Sequence, residues 1–295
     1  MGTNLKQKTR KCSFYSSGKT IFIGNGLNRA FNGGSSWDEL VGIDTTDVPY
    51  TLRLRLSNKN LDDAIKELEE NFCVSDEFAA YIEKLVDSGF HNFLTTNYTY
   101  EIEYSLLPKE KRNYNYIADY TYSMVNDRLD NGISITNYIR IKFKGNIINI
   151  WHIHGEIRKK SSLVLDHNKY GILMGKIYQS DVKGILKVDK RGYDYSSYNC
   201  KSWVDLFLIT DIYFVGYGLN YSEIDIWWVL EKRKKYNLKI KNEIYFYSAY
   251  SSEFNATKKL LIKNENIRII SCNKATKDVD CFKNYFRNII NHICK

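Results

Sequence analysis

Short apolar runs alternate with stretches of helical periodicity along most of this chain. Residues 20–23 are β-branched or aromatic, which is typical of a buried strand. Similar patterns predict further strands at 90–95, 146–151, 163–165, 211–215, 243–247 and 267–271. Apolar residues at helical spacing predict helices at 61–68, 78–86, 100–107, 172–186, 197–209, 222–235, 252–263 and 278–292. This alternation predicts an α/β fold, a Rossmann-like doubly wound parallel sheet with helices on both faces.

The 295 residues can build one large domain, and we expect a single domain over 1–295. Two stretches interrupt the alternation and are expected to form helical or irregular insertions, near 31–88 and 109–145. Residues 1–19 are polar and predict a leading arm, and residues 166–171 predict a loop.

Cysteine usage and hydropathy limit the class of protein. The six cysteines form no C-x-x-C pair, so a zinc ribbon is not expected, and scattered single cysteines fit reduced thiols in a cytoplasm. No apolar run reaches the roughly eighteen residues that a membrane span needs. The basic, polar N-terminus lacks the apolar core of an export signal. We therefore expect a cytoplasmic protein without membrane contact.

Basic residues outnumber acidic ones by 43 to 34. Two basic clusters, 158–160 and 232–235, could contact nucleic acid, an acidic partner or only water. The second cluster falls where a helix is predicted to end, and the helix dipole favours cations there. We therefore do not expect direct contact with nucleic acid.

Four predicted strands end in polar or glycine-rich turns: Gly24-Asn25-Gly26, Thr95-Thr96-Asn97, His152-Ile153-His154 and Gly216-Tyr217-Gly218. In an open parallel sheet the carboxyl ends of the strands line one crevice, where such folds bind ligands. Their co-occurrence predicts a functional site at this edge of the sheet.

The first turn has the features of a phosphate-binding site. Glycine lets the backbone turn sharply after the strand and approach a ligand closely. Asn28 can cap the following helix, whose first N–H groups would then face phosphate oxygens. The dinucleotide-binding fingerprint would place glycine at position 29, where this chain has Arg29. A purely structural turn is the alternative interpretation.

The four turns together resemble motifs of the sirtuin superfamily, and in particular of the bacterial sirtuin-like NAD hydrolases of anti-phage and abortive-infection systems. The resemblance covers roughly 20–250. It implies that Asn97 and His154 are catalytic. It also implies NAD binding by a set of glycine-turn and neighbouring residues: Gly24, Asn25, Gly26, Asn28, Thr96, Gly216, Gly218 and Asp225.

Two departures from the sirtuin pattern disfavour protein deacylation more than NAD cleavage. Deacylases of the superfamily carry a four-cysteine zinc module, which this cysteine pattern cannot form, so no metal is expected. Thr95-Thr96-Asn97 resembles the Thr-x-Asn motif of the superfamily. In that motif an Asp often follows the Asn, and this chain has Thr99 at the corresponding position.

Independently of the resemblance, the side-chain types of Asn97 and His154 are suited to cleavage of NAD. An amide such as Asn97 can hold a ribose hydroxyl and a water together, and a histidine with a near-neutral pKa can accept a proton. Each also has a structural alternative, Asn97 as a turn residue and His154 as a turn histidine. His152 is expected to face the other side of the strand end, while His91 and His167 are expected at the surface or in loops.

The sequence therefore predicts an NAD glycohydrolase that yields nicotinamide and ADP-ribose and depletes NAD in anti-phage defence. The alternatives are an NAD-dependent ADP-ribosyl transferase or cyclase, a catalytically silent subunit that binds NAD or an ADP-ribose derivative, and, with less support, a nucleic-acid-binding protein. Because such an enzyme must be restrained and the chain is almost entirely this one domain, we expect homo-oligomers or a separate sensor or activator protein.

Overall fold

The computed structural model describes residues 18–34, 52, 56, 60–112, 121–124, 132–180, 182, 184–186, 200–236, 242–248, 256–271 and 279–295. Most of the expected leading arm, up to residue 17, lies outside these ranges. Most of residues 35–59 and 113–131, which belong to the two predicted insertions, also lies outside these ranges.

A single sheet forms the centre of the described residues. Its eight strands are β1 Lys19–Ile23, β2 Asn92–Thr95, β3 Thr121–Met124, β4 Asn137–Phe143, β5 Asn146–His152, β6 Asp211–Val215, β7 Ile244–Ser248 and β8 Ile267–Ser271. They lie in the order β3-β4-β5-β2-β1-β6-β7-β8. All pairings from β5 across to β8 are parallel, and β4 pairs antiparallel with β3 and β5. The prediction of an α/β Rossmann-like fold is therefore confirmed.

Helices connect the parallel strands. They are α1 Asn25–Asn32, α2 Leu61–Glu70, α3 Asp76–Asp87, α4 Glu101–Ser105, α5 His167–Gln179, α6 Trp203–Ile209, α7 Ile224–Tyr236, α8 Ala256–Asn264 and α9 Val279–Ile293. Two short 3₁₀ turns lie at Lys109–Lys111 and Lys160–Ser162.

The sheet is covered on both faces, because alternate strand residues enter two separate apolar cores. On β1, Phe22 enters the core formed with α5, α6 and α7, while Ile21 and Ile23 enter the core formed with α1, α3 and α9. This arrangement explains why β1 reads as a continuous apolar run rather than as an alternating one.

The direction of winding changes between β1 and β6, which are neighbours in the sheet. From β1 the chain continues to β2 and β5 on one side, and from β6 it continues to β7 and β8 on the other. Doubly wound sheets bind ligands at such a switch point, outside the carboxyl ends of the strands. The glycine turns 24–26 and 216–218 follow β1 and β6 and thus lie at this point.

Three local predictions were wrong. Residues 163–165 form no strand. Residues 167–171 begin α5 instead of a loop, because the Asp166 side chain accepts the Lys169 N–H and caps the helix. The irregular insertion expected at 109–145 contains β3 and β4, which extend the sheet at one edge. Among the described residues, no helix has the length and apolar character needed to cross a membrane.

Candidate active site

A cavity of about 570 Å³ opens at the carboxyl ends of the strands, within the size range of small-molecule sites. All four predicted turns contribute to its wall. The predicted site residues that line it are Asn25, Gly26, Asn28, Thr96, Asn97, His154, Gly216 and Gly218. The two predicted residues that lie outside its wall are Gly24 and Asp225.

The turns after β1 and β6 require glycine because their backbones pack directly against each other. A Cβ at Gly24 would lie 2.5 Å from the Gly216 carbonyl oxygen, and one at Gly26 would lie 2.8 Å from it. Gly216 has φ +66°, and a Cβ there would meet the Leu27 nitrogen at 2.4 Å. The Gly26 N–H already donates to the Gly216 carbonyl at 2.8 Å. The expected phosphate cradle is therefore also a tightly packed backbone junction.

Gly218 differs from the other turn glycines. The nearest atom that a Cβ would meet is Asn220 Nδ2, at 3.5 Å, which is ordinary van der Waals contact. No described protein neighbour therefore requires glycine at this exposed position on the cavity wall.

Asn28 is not the predicted helix cap. Helix α1 begins at Asn25, with Gly24 as its N-cap, so Asn28 lies inside the helix. Its amide nitrogen donates to Glu101 Oε1 at 3.0 Å, and its Oδ1 accepts a hydrogen bond from Asn32 at 2.7 Å. The prediction failed because the helix begins inside the glycine turn, at Asn25, four residues before the start that a cap at Asn28 requires.

Asn97 presents an unsatisfied acceptor at the cavity. Its residue is 7% exposed, and its Oδ1 has no hydrogen-bond partner among the described residues. Its backbone N–H donates to Thr95 Oγ1 at 3.0 Å. A buried polar atom without a partner carries a desolvation cost, so this oxygen is ready to accept a hydrogen bond from a ligand or water.

His152 faces away from the cavity, as expected, and its ring contacts the backbone of Asn97. Its Nδ1 lies 2.8 Å from the Asn97 carbonyl oxygen and its Nε2 lies 2.8 Å from Glu103 Oε1. Burial alone would lower the pKa of His152, but the Glu103 carboxylate outweighs burial and raises it to about 9. The ring is therefore protonated at neutral pH and donates both hydrogen bonds.

His154 lines the cavity and is held by Asp225. His154 Nε2 lies 2.7 Å from Asp225 Oδ2, although the two residues are 71 positions apart. Because Nε2–H donates to this carboxylate, the neutral ring leaves Nδ1 as an acceptor. Burial acts to lower the pKa of His154, and the charge and hydrogen bond of Asp225 reverse this and raise it above the usual value.

Asp225 is 0% exposed and is not part of the cavity wall, so it contacts the cavity through His154. Its role in NAD binding stays a prediction. The helix that contains it, α7, begins one residue earlier and carries the carboxylate behind the histidine ring.

Three glutamates on the cavity wall were missed by the sequence analysis: Glu67, Glu101 and Glu223. Glu223 accepts the Asn220 N–H at 2.6 Å, and burial raises its pKa to about 7, with the neighbouring Asp225 adding to the shift. Glu101 is 4% exposed, and burial raises its pKa as well. Motif matching gave no signal for these residues, because Glu67 and Glu101 lie outside the recognised motifs and Glu223 lies at an unspecified position between Gly218 and Asp225.

An aromatic side of the cavity was also missed. It is formed by a residue that follows α2 and by residues of β7 and α9, which are Phe72, Phe246, Tyr247, Phe282, Tyr285 and Phe286. Helical periodicity identified α9 as amphipathic but could not tell which of its apolar residues face a cavity instead of the core.

The second basic cluster has structural partners, in line with its predicted position at a helix end. Lys232 Nζ donates to the Ile177 carbonyl at 2.8 Å and to Ser180 Oγ at 2.6 Å, so it caps the end of α5. Arg233 donates to the Thr210 carbonyl at 3.2 Å. Within the described ranges, no group of three or more His, Cys, Asp or Glu side chains is arranged to hold a metal ion.

Comparison with known proteins identifies a family. A family model described as the SIR2-like domain matches residues 91–270, which contain the turns after β2, β5 and β6. No curated protein matches the chain.

Proposed function

Because the chain belongs to the SIR2-like family, whose members are usually NAD-dependent enzymes, we propose that it is an NAD hydrolase. The reaction is cleavage of the bond between nicotinamide and ribose, with release of nicotinamide and ADP-ribose. The observation that carries the proposal is that Asn97, whose buried Oδ1 has no hydrogen-bond partner among the described residues, and His154, which Asp225 holds, both line the cavity.

Asn97 orients the reacting groups in this proposal. Its free Oδ1 accepts a hydrogen bond from a ribose hydroxyl or from the attacking water, and its Nδ2 can donate to the other. Because His152 and Thr95 fix the backbone of Asn97, the amide is held in place before the substrate binds.

His154 acts as the general base through Nδ1. Nicotinamide in NAD is a cationic leaving group, so its departure needs no strong acid, and the transition state resembles an oxocarbenium ion. Water attacks the ribose carbon, the electrons of the broken C–N bond stay with nicotinamide, and the proton of the water passes to His154. Asp225 fixes the tautomer and stabilises the imidazolium that forms.

The glycine turns supply the phosphate end of the site. The N-terminus of α1 reaches the cavity wall through Asn25 and Gly26, and helix N-termini favour anions. The cationic side chains of Arg29 and Lys258 also lie on the wall. This polarity suits a diphosphate between the two nucleosides of NAD.

Anti-phage defence by NAD depletion is the biological role that we propose. An enzyme that exhausts NAD must be restrained until infection, so we propose that self-assembly or a separate sensor protein activates it in the cytoplasm. A transferase or cyclase would share the cleavage step, and a silent NAD-binding subunit would share only the cavity.

Product analysis tests the proposal and separates these alternatives. Purified protein is incubated with NAD, with and without cell extract, and the products are separated by chromatography. A hydrolase releases nicotinamide and free ADP-ribose in equal amounts. Nicotinamide without free ADP-ribose indicates transfer or cyclisation, and NAD binding without nicotinamide release indicates a silent subunit.

A further inference from the structure

The N-terminal half of α9 forms an aromatic wall of the cavity. Phe282, Tyr285 and Phe286 all line it, and their spacing of three and four residues places them on one side of the helix. Tyr285 and Phe286 are buried, whereas Phe282 is only partly buried. Phe282 is therefore the ring of this wall with the most surface left for a ligand.

The wall is anchored to the helix that follows the first glycine turn. The Phe286 ring packs edge-on against Phe282, with centroids 4.9 Å apart, and against Tyr285, with centroids 5.0 Å apart. On its other side Phe286 meets Phe31 of α1 with centroids 6.3 Å apart. The position of Phe282 is thus fixed relative to α1 before any ligand binds, which lowers the entropic cost of stacking.

The wall lies on the far side of the glycine turns from the proposed reaction centre. The Tyr247 hydroxyl of β7 lies 3.2 Å from His292 Nδ1 of α9, so α9 packs against β7, and its Arg287–Glu77 ion pair also joins it to α3. Asn97 and His154 follow β2 and β5, on the other side of β1. From β2 to β7 there are three strand spacings, or roughly 14 Å, and the two glycine turns lie between them.

This order matches the order of groups in a dinucleotide. With the reacting ribose at Asn97 and His154 and the diphosphate at the glycine turns, the second nucleoside extends towards α9. We propose that the ring of Phe282 stacks on the adenine base and thereby gives the site its preference for adenine dinucleotides. The inference rests on the proposed function for the direction of the substrate, and on the aromatic wall for the contact itself.

Binding of two fragments tests the inference without turnover. Calorimetric titrations use ADP-ribose, which contains adenine, and nicotinamide mononucleotide, which does not. Phe282→Leu keeps an apolar side chain of similar size and removes the aromatic ring. Because stacking on an aromatic side chain contributes substantially to base binding, we expect Phe282→Leu to weaken ADP-ribose binding by roughly 5- to 100-fold. Binding of nicotinamide mononucleotide should stay within about twofold, and Phe282→Trp should retain ADP-ribose affinity.

Phe143→Leu, a partly buried aromatic residue of β4 outside the cavity wall, is the matched control, and thermal unfolding of each variant checks the fold. Unchanged ADP-ribose affinity in Phe282→Leu overturns the inference, as does an equal loss for both fragments. A wild type that cleaves NAD while Phe282→Leu binds normally rejects only the stacking contact. A wild type that binds ADP-ribose through Phe282 without cleaving NAD rejects only the hydrolase.

Discussion

At the scale of single residues, the two histidines of the turn after β5 have opposite roles. His152 is a buried imidazolium that joins the Asn97 backbone to Glu103, and His154 is a cavity residue paired with Asp225. The sequence indicated that they face different sides, because they flank a strand end. It could not give the partners, since Asp225 lies 71 residues away from His154 and depends on how β5 and α7 meet.

His152 makes the stability of the protein depend on pH. Its pKa is raised to about 9, above the roughly 6.5 of an unfolded chain, so its contribution is fully present below pH 6.5. The contribution is lost as pH rises through about 9 and amounts to roughly 3 kcal/mol. Urea unfolding at pH 6, 7.5 and 9.5 should show this loss in wild type and not in His152→Gln. The exposed His167→Gln serves as control, and a wild-type decline that persists in His152→Gln would refute the assignment.

Asp225 controls the protonation of His154. In Asp225→Asn the amide can donate to Nε2, which moves the ring proton to Nδ1 and removes the base. We expect kcat to fall by about 10²- to 10⁴-fold, with ADP-ribose affinity nearly unchanged because Asp225 has no exposed surface. Initial rates of nicotinamide release and calorimetric titration measure the two quantities. An unchanged kcat in a folded variant would show that the pair is structural.

At the scale of elements, most buried strands and most helices between them were predictable, and the two strands at the sheet edge were not. β6 and β8 match their predicted ranges because both are short apolar runs between polar residues. β3 and β4 were missed because the tyrosine- and asparagine-rich segment around them was interpreted as irregular, although residues 139–143 of β4 alternate apolar and basic side chains. Helix α5 was extended too far at its end and started too late, because Gly171 and Asn168 resemble loop residues although Asp166 caps the helix.

Substitutions at two turn glycines distinguish a role in backbone packing from a role in close approach of the ligand. Gly24→Ala places a Cβ 2.5 Å from the Gly216 carbonyl oxygen and should cost about 1–3 kcal/mol of folding free energy. Gly218→Ala meets no described atom closer than 3.5 Å, so the fold should tolerate it while ADP-ribose binding weakens. Thermal unfolding and titration of both variants measure this contrast. Full ADP-ribose affinity in Gly218→Ala would indicate that the ligand does not approach this turn.

At the scale of the whole molecule, the arrangement of the site follows from the winding of the sheet. The turns after β5, β2, β1 and β6 meet because these strands are neighbours, although the chain separates them by many residues. The alternation of predicted strands and helices was enough to predict that the four turns line one crevice. They could not predict the wall formed by α9, which follows the last strand and returns to pack against α1 and Tyr247.

The proposed restraint of NAD cleavage predicts that activity depends on assembly or on a partner protein. If self-assembly activates the protein, specific NAD cleavage activity should rise with protein concentration over the range in which light scattering detects oligomers. If a partner activates it instead, cell extract should raise activity at fixed concentration. A monomer that is fully active alone would contradict both routes.

The most direct test of the central claim is the rate of nicotinamide release by His154→Ala compared with wild type. Removal of the proposed general base should lower the rate by about 10²- to 10⁴-fold, and ADP-ribose affinity should change little because the proposed phosphate site at the glycine turns is left intact. Wild-type activity should also rise with pH through a midpoint above that of an ordinary histidine, since only the neutral ring accepts a proton. A folded His154→Ala that releases nicotinamide as fast as wild type would contradict the account.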